Sequence, residues 1–232
     1  MNIDAILLAG GKGTRLRSAL PDLPKPMAPI MDKPFLEYLI LSLYNQGISK
    51  IILSIGYKKE IIKRYFCDYN PGIKILFSEE NTPLGTGGAL LSALNYSNSE
   101  NIMVLNGDTF FNINLQKMYD FHLANHSYLT IATKKLNDKS RYLGLPVENE
   151  RILKKKTPNS SMLFNGGIYI FSRSALNLFK SDKQFFSLEK EIFTYFFDRG
   201  HVHSYYEDKE FIDIGVPIDY FRADQFFNQI KE

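Results

Sequence analysis

The N-terminal segment does most to limit how this chain can fold. An apolar run at residues 5–8 predicts a buried strand, and a glycine-rich loop at 10–13 follows it. Arg15 and Lys25 place two cations shortly after that loop, and Lys25 stands between two prolines. A strand that opens into such a loop exposes backbone N–H groups, which bind anions. The segment therefore predicts an α/β fold with a triphosphate-binding loop near its N-terminus.

Two common phosphate-binding loops do not fit this segment. The chain has no glycine followed after four residues by Gly-Lys-Ser or Gly-Lys-Thr, which excludes a Walker loop. A dinucleotide fingerprint that began at Gly11 would need a third small residue at position 16, where Leu16 stands. A nicotinamide-dependent oxidoreductase is excluded with it.

Length and composition favour one globular domain over residues 1–232. Hydrophobic residues make up 44% of the chain and charged residues 23%, as is usual for water-soluble proteins. The net charge of +3 is too small to indicate a nucleic-acid or membrane partner. A single cysteine excludes an intrachain disulfide. Because no signal peptide or membrane-spanning apolar run is found, we expect a cytoplasmic protein.

Apolar runs and helical patterns alternate along the first half of the chain. The expected strands are 3–8, 50–55, 73–77 and 101–106, and the expected helices are 34–46, 58–66 and 86–95. This alternation predicts crossover connections and a largely parallel sheet.

The second half of the chain has a different order. A helix at 114–126 precedes the expected strands 127–135, 142–148 and 162–171. Because no helices separate these strands, we expect an antiparallel portion joined to the parallel sheet. The remaining expected elements are helices at 173–180 and 187–198, strands within 201–213 and a terminal helix from Pro217.

Five groups of motifs resemble the signatures of the sugar-1-phosphate nucleotidyltransferases. They stand in the family's order at residues 8–16 with 24–27, 84–89, 106–108, 165–169 and 211–215. Segments 187–193 and 211–217 most resemble the D-glycero-D-manno-heptose 1-phosphate guanylyltransferases. The resemblance implies a single-domain Rossmann-like nucleotide-sugar transferase fold, with a mixed, mostly parallel central sheet flanked by helices. It also allows a homodimer.

Two aspartates are the candidate metal ligands. Asp108 follows the apolar strand 101–106, and Asp213 follows a second apolar segment. Both stand at strand ends, where α/β proteins bind ligands, and they could share one Mg²⁺. The alternative is that either aspartate only caps a turn. In the resembled family the two matching aspartates hold the catalytic metal.

The nucleotide site is expected around the N-terminal loop. Arg15 and Lys25 are interpreted as catalytic clamps on the triphosphate and the leaving group. The candidate nucleotide-binding residues are Leu8, Ala9, Gly10, Gly11, Gly13, Thr14, Glu80, Gly85, Thr86, Asn106 and Gly107. The glycines of 84–89 are interpreted as allowing a base to approach the backbone closely. Either Glu79 or Glu80 could accept hydrogen bonds from guanine, and we take Glu80 as the candidate.

The resemblance also implies a sugar site. Its candidate residues are Gly144, Lys156, Asn165, Gly166, Glu189 and Lys190. The family has a Glu-Lys pair near 155–158, whose lysine meets the sugar phosphate. Here the glutamate is missing, so Lys156 is the candidate and Lys190 the alternative.

Two histidines have a spacing that occurs in metal sites. His122 and His126 are four residues apart on an expected helix, a spacing that can present both to one ion. Because no third ligand stands in the right frame, we interpret them as residues of a surface helix.

These features predict a Mg²⁺-dependent transfer between a nucleoside triphosphate and a sugar 1-phosphate. By resemblance the pair is GTP and D-glycero-α-D-manno-heptose 1-phosphate, which gives GDP-heptose for a bacterial surface polysaccharide. One alternative is a uridylyl- or thymidylyltransferase that acts on a hexose or muramic-type sugar 1-phosphate. Another is a non-catalytic sugar-nucleotide sensor, against which the retention of Arg15, Lys25, Asp108 and Asp213 argues.

Overall fold

The computed structural model describes residues 1–16, 20–67, 69, 72–135 and 144–231, without the side chains of Arg15 and Lys231. Its strands are β1 (Asp4–Leu8), β2 (Pro29–Ile30), β3 (Lys33–Pro34), β4 (Lys50–Ile55), β5 (Lys74–Glu79), β6 (Asn101–Asn106), β7 (Thr109–Phe111), β8 (Leu129–Lys134), β9 (Gly144–Glu148), β10 (Arg151–Ile152), β11 (Ser161–Ser172), β12 (Val202–Tyr206) and β13 (Phe211–Asp213). Its helices are α1 (Phe35–Asn45), α2 (Lys59–Phe66), α3 (Gly85–Ala93), α4 (Leu115–Ala124), α5 (Arg173–Leu176), α6 (Thr194–Phe197), α7 (Pro217–Tyr220) and α8 (Ala223–Lys231).

A nine-stranded central sheet organises the described residues, in the order β5-β4-β1-β6-β11-β8-β12-β10-β9. The first four strands in this order are parallel to one another. Strand β11 runs antiparallel to β6 and β8, and β12 is again parallel to β8. Within this sheet only β10 and β11 run against the other described strands. The prediction of a mixed, mostly parallel sheet is therefore confirmed.

Helices cover both faces of this sheet because its central strands are apolar on both sides. Along β1, Ala5 and Leu7 face the layer formed by α1, α2, α4 and α8. Ile6 faces the opposite layer, which contains α3, α5 and α6. All three side chains are fully buried. Such a two-sided core is typical of α/β proteins whose parallel strands are buried on both faces.

Strand β11 joins the two halves of the sheet. Its second half pairs with β6, and its first half pairs with β9. The pairing with β8 shifts register between Asn165 and Tyr169, which places a bulge at Gly166 and Gly167. Gly167 has a φ of +76°, a left-handed conformation that glycine adopts readily. The bulge therefore interrupts the pairing of β11 with β8 directly after Asn165.

Several predicted elements need correction. The helix expected over 173–180 is limited to α5, and the segment expected at 187–198 begins as a π-helix, Leu188–Phe193, before α6. The strands expected within 201–213 are confirmed as β12 and β13, which belong to different sheets. Residues 142–143 of the strand expected at 142–148 lie outside the described residues.

The interpretation of both histidines as surface residues is wrong for His122. This side chain is only 1% exposed and contacts Thr130 Oγ1 at 2.8 Å and Asn101 Oδ1 at 3.2 Å. Burial lowers the pKa of His122 to about 4. His126 lies beyond the end of α4 and is exposed.

None of the helices in the described residues is long and apolar enough to cross a membrane.

Candidate active site

A two-stranded ribbon brings the candidate metal ligands together. Strand β7 follows Asp108 directly and pairs antiparallel with β13, so that Thr109 lies opposite Asp213. The backbone N–H of Ile214 donates to the carbonyl of Asp108 at 3.0 Å. This ribbon therefore holds two aspartates that are far apart in sequence side by side at one edge of the central sheet.

Lys25 lies between the two carboxylates. Its ammonium forms an ion pair with Asp108 Oδ2 and stands 3.8 Å from Asp213 Oδ1. The lysine is only 8% exposed, whereas Asp108 and Asp213 are 36% and 22% exposed. The ammonium of Lys25 thus lies near oxygens of both carboxylates, and the sharing of a metal ion by these aspartates stays a prediction. Among the described residues, no group of three or more His, Cys, Asp or Glu side chains could hold a metal.

Tight backbone packing fixes this arrangement. Lys25 begins a 3₁₀ turn, Lys25–Met27, after the extended Pro24. Gly13 has a φ of +57°, and a Cβ at that position would lie 2.8 Å from Cβ of Lys25. Gly215 donates its backbone N–H to Asp213 Oδ1 at 2.6 Å. The glycines at 13 and 215 therefore allow the phosphate loop and the Asp213 turn to approach the lysine.

A cavity of about 900 Å³ opens beside this centre. The predicted site residues that line it are Leu8, Gly10, Gly11, Glu80, Gly85, Thr86, Asn106, Asp108 and Glu189. Lys12 and Tyr57 also line it. The cavity therefore joins the N-terminal loop, the end of β5, the start of α3 and the π-helix around one space.

A smaller cavity of about 230 Å³ adjoins the first one, since both are lined by Leu8, Gly11 and Asp108. The other predicted site residues in its lining are Ala9, Gly13, Thr14, Lys25 and Gly107. Its lining combines the glycine-rich loop, the hydroxyl residue Thr14 and the buried ammonium of Lys25 with the carboxylate of Asp108. This composition suits a phosphate group.

Glu79 and Glu80 have different surroundings. Glu79 pairs with Lys59 at 3.1 Å and Lys63 at 2.8 Å, and hydrogen bonds to these lysines lower its pKa. Glu80 lines the large cavity, and its Oε2 accepts from the backbone N–H of Leu84 at 3.0 Å. Burial raises the pKa of Glu80. Of the two glutamates, Glu80 is therefore the one placed to contact a ligand.

The glycines at the start of α3 have a different neighbour from the one expected. A Cβ at Gly87 would lie 2.5 Å from the Phe186 ring, and one at Gly88 would lie 3.1 Å from the carbonyl of Gln184. At Gly85, with a φ of +72°, it would meet the Phe186 carbonyl. These glycines therefore admit the chain's own segment 184–187, which corrects the explanation by close approach of a base.

Segment 184–189, which we call the clasp, leads into the π-helix and is joined to the start of α3 by hydrogen bonds. Phe186 N–H donates to the carbonyl of Leu84 at 3.0 Å, and Gly87 N–H donates to the carbonyl of Phe186 at 3.0 Å. Leu188 N–H donates to Thr86 Oγ1 at 2.8 Å. The hydroxyl of Thr86 in turn donates to Glu189 Oε2 at 3.4 Å. The clasp thus links a predicted nucleotide residue to a predicted sugar residue.

Tyr169 organises two amides near the centre. Its hydroxyl accepts from Asn165 Nδ2 at 3.0 Å and from Asn106 Nδ2 at 3.4 Å. The ring is fully buried, and burial raises the pKa of its hydroxyl. Glu189 acts in the same direction through its charge. Asn165 is therefore held beside Asn106, which lines the large cavity.

Several predicted residues line neither cavity, Asp213 and Asn165 among them. Gly166 packs against Phe111, whose ring would lie 2.5 Å from a Cβ at that position. Gly144 pairs with Phe164 in the sheet, and Lys156 and Lys190 are exposed. The side chain of Arg15 and residues 136–143 lie outside the described residues. Their assignments stay predictions.

Part of the wall of the large cavity is formed by residues that were not predicted from the sequence. Phe185 and residues 81–83 line it without belonging to a recognised motif, and Ser187 lines it although it was not among the predicted site residues. Ser187 could have been found, because serine is a favoured N-cap residue at the start of an expected helix, and it does cap the π-helix. Nothing in the sequence distinguishes Phe185 from the core aromatics around it.

Comparison with known proteins agrees with this geometry. A model of the nucleotidyl transferase family matches residues 4–230. The D-glycero-alpha-D-manno-heptose 1-phosphate guanylyltransferase of Aneurinibacillus thermoaerophilus is 41% identical over 223 residues, covering 95% of this chain and 96% of the relative. The protein of the same name from Campylobacter jejuni subsp. jejuni serotype O:2 is 43% identical over 222 residues, covering 94% and 97%.

A crystal structure of HddC from Yersinia pseudotuberculosis complexed with GMP-PN superposes with a TM-score of 0.84. That protein is 36% identical, and the match covers 97% of this chain and 99% of the other. The resemblance identified from the motifs is confirmed by both kinds of comparison. This chain belongs to the nucleotidyl transferase family.

Proposed function

We propose that this enzyme transfers GMP from GTP to D-glycero-α-D-manno-heptose 1-phosphate and releases pyrophosphate. Asp108, which lines both cavities, and Asp213, which lies near the same lysine ammonium, carry the proposal. The guanylyltransferase names of two nearly full-length relatives support the substrate pair. The product, GDP-heptose, would supply the synthesis of a bacterial surface polysaccharide.

Asp108 and Asp213 fit a divalent metal. Both carboxylates reach the Lys25 ammonium, so the space between them attracts a cation. A metal ion would take this space with Lys25 turned toward the triphosphate. Mg²⁺ commonly takes one or two protein carboxylates and completes its shell with phosphate oxygens and water. When bound, such an ion would neutralise charge on the reacting phosphates. We propose Mg²⁺ as this metal.

The reaction needs positioning more than proton transfer. The attacking sugar phosphate is already an anion, so the main barrier lies in bringing two polyanions together and stabilising the leaving pyrophosphate. We propose that Lys25 and Arg15 neutralise the negative charge of the triphosphate. The glycine-rich loop at 10–13 would supply backbone N–H donors from the walls of both cavities.

The remaining predicted site residues would contact either the base or the sugar. Glu80 would accept from the N1–H and N2–H₂ groups of guanine, which uracil lacks. Glu189 would accept from hydroxyls of the heptose, and Asn165 would donate to the sugar from its position beside Asn106. Lys156 or Lys190 would meet the sugar phosphate. We further propose one domain over residues 1–232 and a cytoplasmic location, where GTP is made.

A substrate panel tests the reaction. Pyrophosphate release is measured with GTP, ATP, UTP and dTTP, each with heptose 1-phosphate, mannose 1-phosphate and glucose 1-phosphate. We expect the highest kcat/KM for GTP with the heptose phosphate. A clear preference for UTP or dTTP would contradict the assignment of guanine as the bound base. No turnover with any pair would favour a non-catalytic sensor.

The Asp108→Asn variant tests the metal centre. We expect kcat to fall by about 10²-fold or more, because one of two charged ligands is lost while the side chain keeps its shape. Asp120→Asn is the control, since Asp120 is an exposed residue of α4 that contacts Gln116. Unchanged pyrophosphate release in Asp108→Asn would remove the metal assignment.

A further inference from the structure

One exposed aromatic ring stands in the wall of the large cavity. Phe185 is 64% exposed, although its neighbour Phe186 is only 5% exposed. An exposed ring gives up the stabilisation that burial of its apolar surface would provide. Single exposed apolar residues are common, so this exposure is informative only because the ring lines a predicted ligand cavity.

The backbone that carries this ring is held firmly. Phe186 anchors the clasp through hydrogen bonds to Leu84 and Gly87, both of 3.0 Å. The Phe186 ring packs against Gly87 and against the buried Phe179 ring, whose centroid lies 5.6 Å away. Phe185 therefore starts from a fixed point and has only two side-chain torsions to order. Ordering this side chain against a ligand therefore costs little conformational entropy.

The clasp contributes Phe185, Ser187 and Glu189 to the lining of the large cavity. Residue 186 lies beside Leu84, and residue 188 lies beside Thr86. Farther along, Glu189 marks the end that we assign to the sugar. Leu84 connects this segment to Glu80, because its N–H donates to Glu80 Oε2 at 3.0 Å and its carbonyl accepts the Phe186 N–H at 3.0 Å. Phe185, the neighbour of Phe186, therefore lines the same cavity as Glu80, where we place the base.

We propose that the Phe185 ring stacks on the guanine base of the bound triphosphate. A purine offers a large flat π surface, while Glu80 contacts the edge of the same base, so face and edge are bound by different side chains. Because a purine has the larger stacking surface, Phe185 also favours GTP over UTP. This inference rests on the proposed function and adds a specificity-determining residue to it.

Kinetics of Phe185→Ala test the proposal. Loss of one base–aromatic stack is expected to raise KM for GTP about tenfold, with kcat and KM for the heptose phosphate within about twofold of the original enzyme. Phe185→Trp should keep KM for GTP within about twofold. A KM for GTP unchanged in Phe185→Ala, or a rise confined to KM for the heptose phosphate, would overturn the inference. Neither result would affect the proposed function, which depends on turnover by the unchanged enzyme.

Fluorescence provides a test that needs no turnover. The chain contains no tryptophan, so Phe185→Trp introduces a single tryptophan into the cavity, which can be excited at wavelengths where tyrosine does not absorb. We expect GTP and GDP to quench it, because the indole stacks on guanine, and pyrophosphate alone to leave it unchanged. Phe221→Trp is the control, since Phe221 is 72% exposed and lines no described cavity. Equal quenching by pyrophosphate, or equal quenching of both variants, would contradict stacking at position 185.

Discussion

Gly215→Ala would test the carboxylate geometry with one methyl group. Gly215 is buried beside the Asp213 carboxylate and Lys25. A Cβ at this position would lie 2.7 Å from Asp213 Oδ1 and 3.0 Å from Lys25 Nζ. The same Oδ1 accepts the backbone N–H of Gly215 at 2.6 Å. The new methyl group would therefore displace one carboxylate oxygen from the position that the fold gives it.

The size of this displacement predicts the effect on activity. Ordinary van der Waals contact begins at 3.4 Å, so Oδ1 of Asp213 has to move by about 0.7 Å. Misplacement of a reacting group by about 1 Å can cost about 10²-fold in rate. We therefore expect kcat to fall about ten- to 100-fold. Because the obstructing atoms are the ends of side chains, Tm should change by no more than about 3 °C.

Two measurements on Gly215→Ala separate displacement from unfolding. Pyrophosphate release is followed at saturating GTP and heptose phosphate, and Tm is measured by circular dichroism. Asp213→Asn provides the matched variant, because it removes the charge without adding a methyl group, and it should lose at least as much activity. Full kcat in Gly215→Ala would refute the requirement for this geometry. A fall in Tm above about 8 °C would show that the methyl group had disturbed the core instead.

Three further substitutions or conditions have defined outcomes. Gly85→Ala should destabilise the protein by about 2 kcal/mol or more in urea unfolding, because a left-handed residue would also collide with the Phe186 backbone, and an unchanged unfolding midpoint would refute this. Tyr169→Phe should cost about 1–2 kcal/mol and lower kcat, because Asn165 loses its hydroxyl partner, and wild-type kinetics would show that this bond has no role in positioning. The pKa of His122 falls from 6.5 to about 4 on folding. The contribution of neutral His122 to the free energy of unfolding is therefore present above pH 6.5 and is lost as pH falls toward 4. Unfolding free energy should therefore drop by about 2 kcal/mol between pH 7 and pH 5, and His122→Gln should show a smaller drop.

The parallel half of the fold could be predicted from sequence because its signals are local. Strands β1, β4 and β6 are apolar runs buried on both faces, and each was expected within one residue of its observed bounds. The return strand β11 was also expected, because no helix separates it from its neighbours. Its central role, pairing with three other strands, depends on register and was not visible in the sequence.

The parts that sequence could not reveal depend on contacts between distant segments. Strands β7 and β13 have three residues each, too few to show a period, yet they bring Asp108 beside Asp213. The glycines of α3 can equally face a ligand or the chain itself, and only the packing of Phe186 decides between these. His122 occupies a helix whose burial depends on strands that follow it. In each case the missing information is which segment packs where.

Topology provides an argument for the site that is independent of the motifs. From β1 the chain builds outward to β4 and β5 on one side, then crosses to the other side to place β6 beside β1. At such a reversal of strand order, the carboxyl ends of the two central strands leave a crevice in which α/β proteins bind ligands. The glycine-rich loop follows β1, and Asp108 follows β6, and the N–H of Gly107 donates to the carbonyl of Leu8 at 3.0 Å between them. The fold therefore places phosphate-binding and metal-binding candidates in the same crevice, whatever their resemblance to a family.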